Sequence, residues 1–121
     1  MLSITRKGAL LLDRVMEALA SDIRREVVHE LGRGPASIAQ LAESQHLSLP
    51  AIHRHIKLLE EAKLVQRKKS GRVNFLAIDR TGLLLAQKWL AQYHAYWGSN
   101  EETLDNYVAR IELKQAKEGK R

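Results

Sequence analysis

Residues 47–65 read LSLPAIHRHIKLLEEAKLV, and the fold follows from how this stretch divides into two faces. Ser48 is an N-cap residue type, and Pro50 stands in the first turn that follows, where a missing N–H breaks no helical bond. Ile52, Ile56 and Leu59 recur at helical spacing and mark a stripe to be buried, so a helix is expected to run to about Ala62. Pro50, His53, Arg54 and Lys57, spaced i, i+3, i+4 and i+7, lie away from that stripe and share the exposed face. One side of this helix packs, and the other is cationic.

Upstream, Ser37 followed three residues later by Gln40 has the pattern of a capping box. It opens a short helix with Ile38, Leu41 and Ala42 on one side, which must stop near Gln45 or His46. Two short helices across a tight turn, over about 37–62, are a helix-turn-helix. Downstream, from Leu64, the period changes to two. Val65, Arg67 and Lys69 alternate with Gln66 and Lys68, and Ser70-Gly71 turns the chain into Val73, Phe75 and Ala77. The stretch 64–78 is therefore expected to be a β-hairpin wing with a cationic tip of Lys68, Lys69 and Arg72.

Further out, Leu11, Val15 and Leu19 place a first helix at about 8–20. Ser21 or Asp22 caps a second helix carrying Ile23, Val27, Val28 and Leu31, which ends at Gly32, Gly34 and Pro35. Beyond the wing, Leu83, Ala86, Leu90, Tyr93 and Trp97 form one helical stripe, with Trp89 and Tyr96 near its edges, and Gly98 to Asn100 breaks it. Leu104, Val108 and Ile111 mark a last helix, with Glu101 and Glu102 at its start and Lys114 and Lys117 at its end, as the helix dipole favours. Residues 116–121 are short, polar and basic and are expected to fray. The fold class is mainly α with a small β-hairpin wing, a winged helix-turn-helix in a single domain over 1–121. The terminal helices, about 8–20 and 81–115, carry more apolar surface than one small wing domain needs, which points to a homodimer.

The chain has 121 residues, 45% of them hydrophobic, enough for one compact core. Its formal net charge is +6, which favours a polyanionic partner, either nucleic acid or an anionic membrane surface. Between His53 and Asn74 seven basic residues stand against two acidic ones, so nearly the whole excess sits on the second helix and the wing. A peripheral membrane binder needs a basic amphipathic helix with a large exposed apolar face, whereas this charge sits on a hairpin, so no membrane partner is expected. No apolar run approaches the roughly 20 residues of a membrane span, and no export signal is read at the start, so a cytoplasmic, nucleoid-associated protein is expected.

The absence of cysteine removes disulfides, thiolate metal sites and a cysteine nucleophile. With no Gly-rich phosphate loop, no HExxH and no Ser/His/Asp constellation at a demanding spacing, an enzyme is not expected. His94, with Glu101, Glu102 and Asp105, is the one cluster to test as a metal site across a dimer. Its acidic residues are better explained by a helix start, so neither metal nor cofactor is expected. His29 and His46 lack neighbouring ligands in sequence. His55 lies between Ile52 and Leu59 and is expected to be packed and hydrogen-bonded rather than a contact residue.

A helix of this kind fits a major groove about 12 Å wide, while the hairpin reaches a neighbouring backbone or minor groove. Arg54 is the preferred base reader, able to form bidentate bonds to a guanine edge. His53 can donate to bases or phosphates, and Ser48 with the helix N-terminus can hold a phosphate. Lys68, Lys69 and Arg72 supply phosphate contacts. The competing reading is a protein–protein interaction module on the same scaffold that does not bind DNA directly, against which the basic hairpin argues.

These residues carry a resemblance. The segments Ala18 to Val27, Ile38 to Ala42, Leu47 to Val65 and the wing Arg67 to Ile78 are similar to those of the ArsR/SmtB-type repressors of bacteria and archaea, winged-helix homodimers that block transcription. The resemblance spans most of the chain, and the third segment is its most specific part. It implies dimerisation through the first and last helices, operator DNA as partner with an inverted repeat matching the two-fold, and repression as the outcome. It also implies that Ser48, Leu49, Pro50, His53, Arg54 and Lys57 meet the groove. Metal-sensing members carry Cys-x-Cys near the first half of the helix-turn-helix, or Asp-x-His with a later His-x-x-Glu. Here residues 38–42 contain no cysteine and no histidine follows His94, so the resemblance implies a member without such a sensor.

Overall fold

A computed structural model gives the architecture and describes residues 5–93 and 99–119. The chain forms two units, Met1–Leu90 and Ala91–Arg121. In the first, α1 (Arg6–Ala18) and α2 (Asp22–Leu31) precede a two-residue strand β1 (Ala36–Ser37). The helix-turn-helix follows as α3 (Ile38–Ser44) and α4 (Leu49–Glu61), then the strands β2 (Val65–Ser70) and β3 (Val73–Ile78), and then α5 (Arg80–Ala91). In the second unit α6 spans Asn100–Glu118.

Caps set most of these boundaries. The Thr5 hydroxyl accepts from the Gly8 N–H at 3.0 Å, which starts α1 at Arg6, ahead of the Gly8 suggested by apolar spacing. Ser21 caps α2 through the Arg24 N–H, and Ser37 with Gln40 forms the expected reciprocal capping box of α3. The two helices of the helix-turn-helix stop in the same way without glycine. His46 (φ 55°) and Lys63 (φ 56°) take the left-handed conformation, while Leu47 N–H bonds back to Ala42 O and Leu64 N–H to Leu59 O. Ser99 and Glu102 make a second capping box on α6, and that helix continues past 115 because Ala116, Lys117 and Glu118 are helix formers and the first breaker is Gly119.

The core draws Val15 from α1, Val27 from α2, Leu41 from α3, Ile52, Ile56 and Leu59 from α4, and Leu64 and Leu76 from around the sheet, all fully or almost fully buried. Among the described residues no polar or charged side chain is buried. Gly82 seats α5. A β-carbon there would lie 2.4 Å from the Ala62 carbonyl oxygen and 2.9 Å from that of Lys63, while the Gly82 N–H donates to Lys63 O at 2.8 Å.

The sheet differs from the sequence reading in three respects. It has three antiparallel strands in the order β1-β3-β2, since Ala36 pairs with Leu76 and Ser37 with Phe75. Ser70 pairs with Val73, so the turn residues are Gly71 and Arg72, with Gly71 at φ 62°, a positive angle that glycine adopts freely. The face that packs inward carries Val65, Leu76 and Ile78, while Val73 and Phe75, read as the apolar face, are 43% and 40% exposed. Pairing Val65 with Ile78 fixes this parity for the whole hairpin.

Candidate nucleic-acid interface

The sequence of α4 requires two faces, and the structure has them. Ile52, Ile56 and Leu59 are fully buried, and Leu49, Pro50, His53, Arg54 and Lys57 are exposed on the other side. Ser48 is also exposed; its Oγ accepts from the Ala51 N–H at 3.3 Å, which leaves its own O–H free to donate outward. Leu49 is 52% exposed at the first helical position, a location from which an apolar side chain can meet a thymine methyl.

The wing comes to this face beside His53. His53 of α4 and Arg72 of the hairpin turn line a shared surface depression of about 190 Å³ with Ser37, Ile38, Ala39, Val73 and Asn74. Lys69 pairs with Asn74 and Lys68 with Phe75, so strand alternation sends these two lysines to opposite faces of the hairpin. Lys68 instead borders a groove of about 250 Å³ lined by Pro35, Gln66, Phe75 and Ala77. All of Lys68, Lys69 and Arg72 are exposed. Arg67 is committed elsewhere, its Nη2 lying 2.6 Å from Glu60 Oε1, and this ion pair ties β2 to the last turn of α4.

His55 is half-buried, with Nδ1 at 3.1 Å from Arg24 Nη1. A guanidinium has no acceptor, so Nδ1 accepts and the imidazole is neutral with its proton on Nε2. Burial, first of all, and then the charges of Arg24 and Arg54 hold its pKa below the ordinary histidine value. Arg24 is the residue that sequence reasoning missed. Besides His55, it donates from Nε to Ala18 O at 2.7 Å and from Nη2 to Glu17 O at 3.2 Å. Two arginines at a helix start give no local sign of this.

Among the described residues no group of three or more His, Cys, Asp and Glu side chains is placed to hold a metal ion. His94, Tyr96, Trp97 and Gly98, named from the sequence, lie outside the described residues. No helix of the described residues is long and apolar enough to cross a membrane.

Comparison with known proteins bears on the same segment. Residues 19–67 match a helix-turn-helix domain family. The HTH-type transcriptional regulator Rv2034 of Mycobacterium tuberculosis is 38% identical over 71 residues, 59% of this chain and 66% of that protein, a little under two thirds of its length. The transcriptional repressor SdpR of Bacillus subtilis is 22% identical over 68% of this chain and 91% of its own. A crystal structure of an ArsR family transcriptional regulator superposes with a TM-score of 0.68 at 34% identity, covering 76% of this chain and 95% of that one. An exposed cationic helix in a helix-turn-helix, a hairpin wing within a three-stranded sheet and this degree of identity together establish that the chain belongs to the ArsR family of winged helix-turn-helix transcriptional regulators, and not to a family of enzymes.

Proposed function

We propose that the protein is a homodimeric repressor that binds an inverted-repeat operator without a metal cofactor. The exposed cationic face of α4, which meets Arg72 of the wing at His53, carries this reading. Arg54 reads a guanine edge, Ser48, Leu49, Pro50, His53 and Lys57 follow the groove, and Lys68, Lys69 and Arg72 hold phosphates. Exposed apolar side chains on α1 (Leu10) and on α6 (Leu104, Tyr107, Val108, Ile111) support burial against a second copy. A two-fold dimer places two recognition helices about 34 Å apart, one helical turn of B-DNA. Repression is supported by the similarity to SdpR and by the simple steric consequence of occupying a promoter.

The test is selection of duplexes from a random-sequence library, followed by fluorescence-anisotropy titration of the selected and a scrambled duplex, with EDTA and with added zinc. Enrichment of an inverted repeat, bound equally with and without metal, is the expected result. Dependence on zinc would overturn the metal-free reading, and no enrichment with no binding at low salt would favour the protein-interaction module.

A further inference from the structure

The contact between Arg24 and His55 is not needed to bury α4, because Ile52, Ile56 and Leu59 already do so. Apolar packing is non-directional and leaves a helix some freedom to roll about its axis. A hydrogen bond from a fixed donor removes that freedom. Arg24 is such a donor. One edge of its guanidinium, Nε and Nη2, grips the carbonyl oxygens of Ala18 and Glu17 at the end of α1, and Nη1 is thereby aimed at His55 Nδ1. The cation also sits where the α1 dipole favours it. His55 is the immediate neighbour of Arg54 on α4, so the angular setting of one fixes that of the other.

We propose that Arg24 and His55 are positioning residues for sequence discrimination: their contact locks the rotation of α4 against the end of α1 and so sets where Arg54 and Lys57 meet the base edges, without either residue touching DNA. The inference rests on α4 being the recognition helix. Burial, and then the charges of Arg24 and Arg54, favour the neutral imidazole that this contact uses. A guanidinium fork serves three acceptors at fixed angles, which a lysine ammonium cannot reproduce.

The experiment compares anisotropy affinities of the full-length wild type and of Arg24→Lys, His55→Leu and His55→Asn for the selected duplex and its scrambled form, with a thermal melt of each protein. Asparagine keeps an acceptor oxygen near the place of Nδ1; leucine removes it. The expected result is a roughly tenfold loss of preference for the selected duplex in Arg24→Lys and His55→Leu, the size of one imperfect base contact. Affinity for the scrambled duplex should stay within about twofold and His55→Asn should remain near wild type, since phosphate contacts are untouched. The double variant Arg24→Lys/His55→Leu should be no worse than either single one. Equal losses on both duplexes, or an unchanged preference in folded variants, would overturn the proposal. If His55→Leu fails to fold, Arg24→Lys, which retains the charge and the stem, decides. A wild type that shows no preference for any duplex would instead bring down the reading of α4 itself.

Discussion

Arg54 and Lys69 carry the same charge and are both exposed, yet the proposed function gives them different work. Arg54 projects from a helix that is seated on the core by its buried face and tied to the end of α1 through His55 and Arg24, so its place is more closely defined than that of a hairpin side chain. Lys69 stands on a hairpin strand, a flexible point charge suited to phosphate. Arg54→Ala is therefore expected to reduce the preference for operator over random DNA by about 1–3 kcal/mol. Lys69→Ala should weaken both by similar factors and lower the salt slope by about one. Paired anisotropy titrations check this, and equal effects of the two substitutions would remove Arg54 as the base reader. At this scale the sequence was only partly legible. Cationic side chains on a predicted outer face are visible in one dimension, whereas Arg24 meets a partner 31 positions away and Arg67 is neutralised by Glu60, pairings that exist only after folding.

The elements were more legible than their pairing. Ser37, Gln40, Ser48 and Pro50 announce two helix starts through local chemistry, and a 3.6-residue apolar stripe needs no knowledge of its neighbours. A two-residue strand such as β1 has no periodicity to detect. The buried face of β3 could not be chosen between two alternating sets until Val65 was paired with Ile78. Element packing also explains Gly82, whose missing side chain lets α5 lie on the carbonyls of Ala62 and Lys63, just past the end of α4. Gly82→Ala puts a methyl group into that backbone contact and is expected to destabilise the fold by about 1–3 kcal/mol despite alanine's better helix propensity. A thermal melt checks it. A domain of ~60–100 residues loses roughly 4–8 °C per kcal/mol, and an unchanged Tm would show that the α4–α5 approach is looser than described.

For the molecule as a whole, the net charge of +6, concentrated on one helix and one hairpin, would make the proposed DNA binding an ion-exchange process. If a dimer neutralises roughly 6–10 phosphates, affinity should fall by about 10³ to 10⁵ between 50 and 200 mM salt. Titration across that range checks the expectation, and a flat response would contradict it.

The sheet order β1-β3-β2 leaves β2 at an edge, and five of its six residues, Gln66, Arg67, Lys68, Lys69 and Ser70, are polar or charged and exposed. An open strand is a template on which another chain can add itself, and lysine is a common deterrent. Two of these side chains, Lys68 and Lys69, are proposed to hold phosphates, and on this edge they are also placed to deter neighbouring copies from zipping together through their wings. Removing them to obtain a protein that ignores DNA would strip this guard beside the exposed Phe75, so the safer exchange is lysine to glutamate, which keeps a repelling charge on the strand.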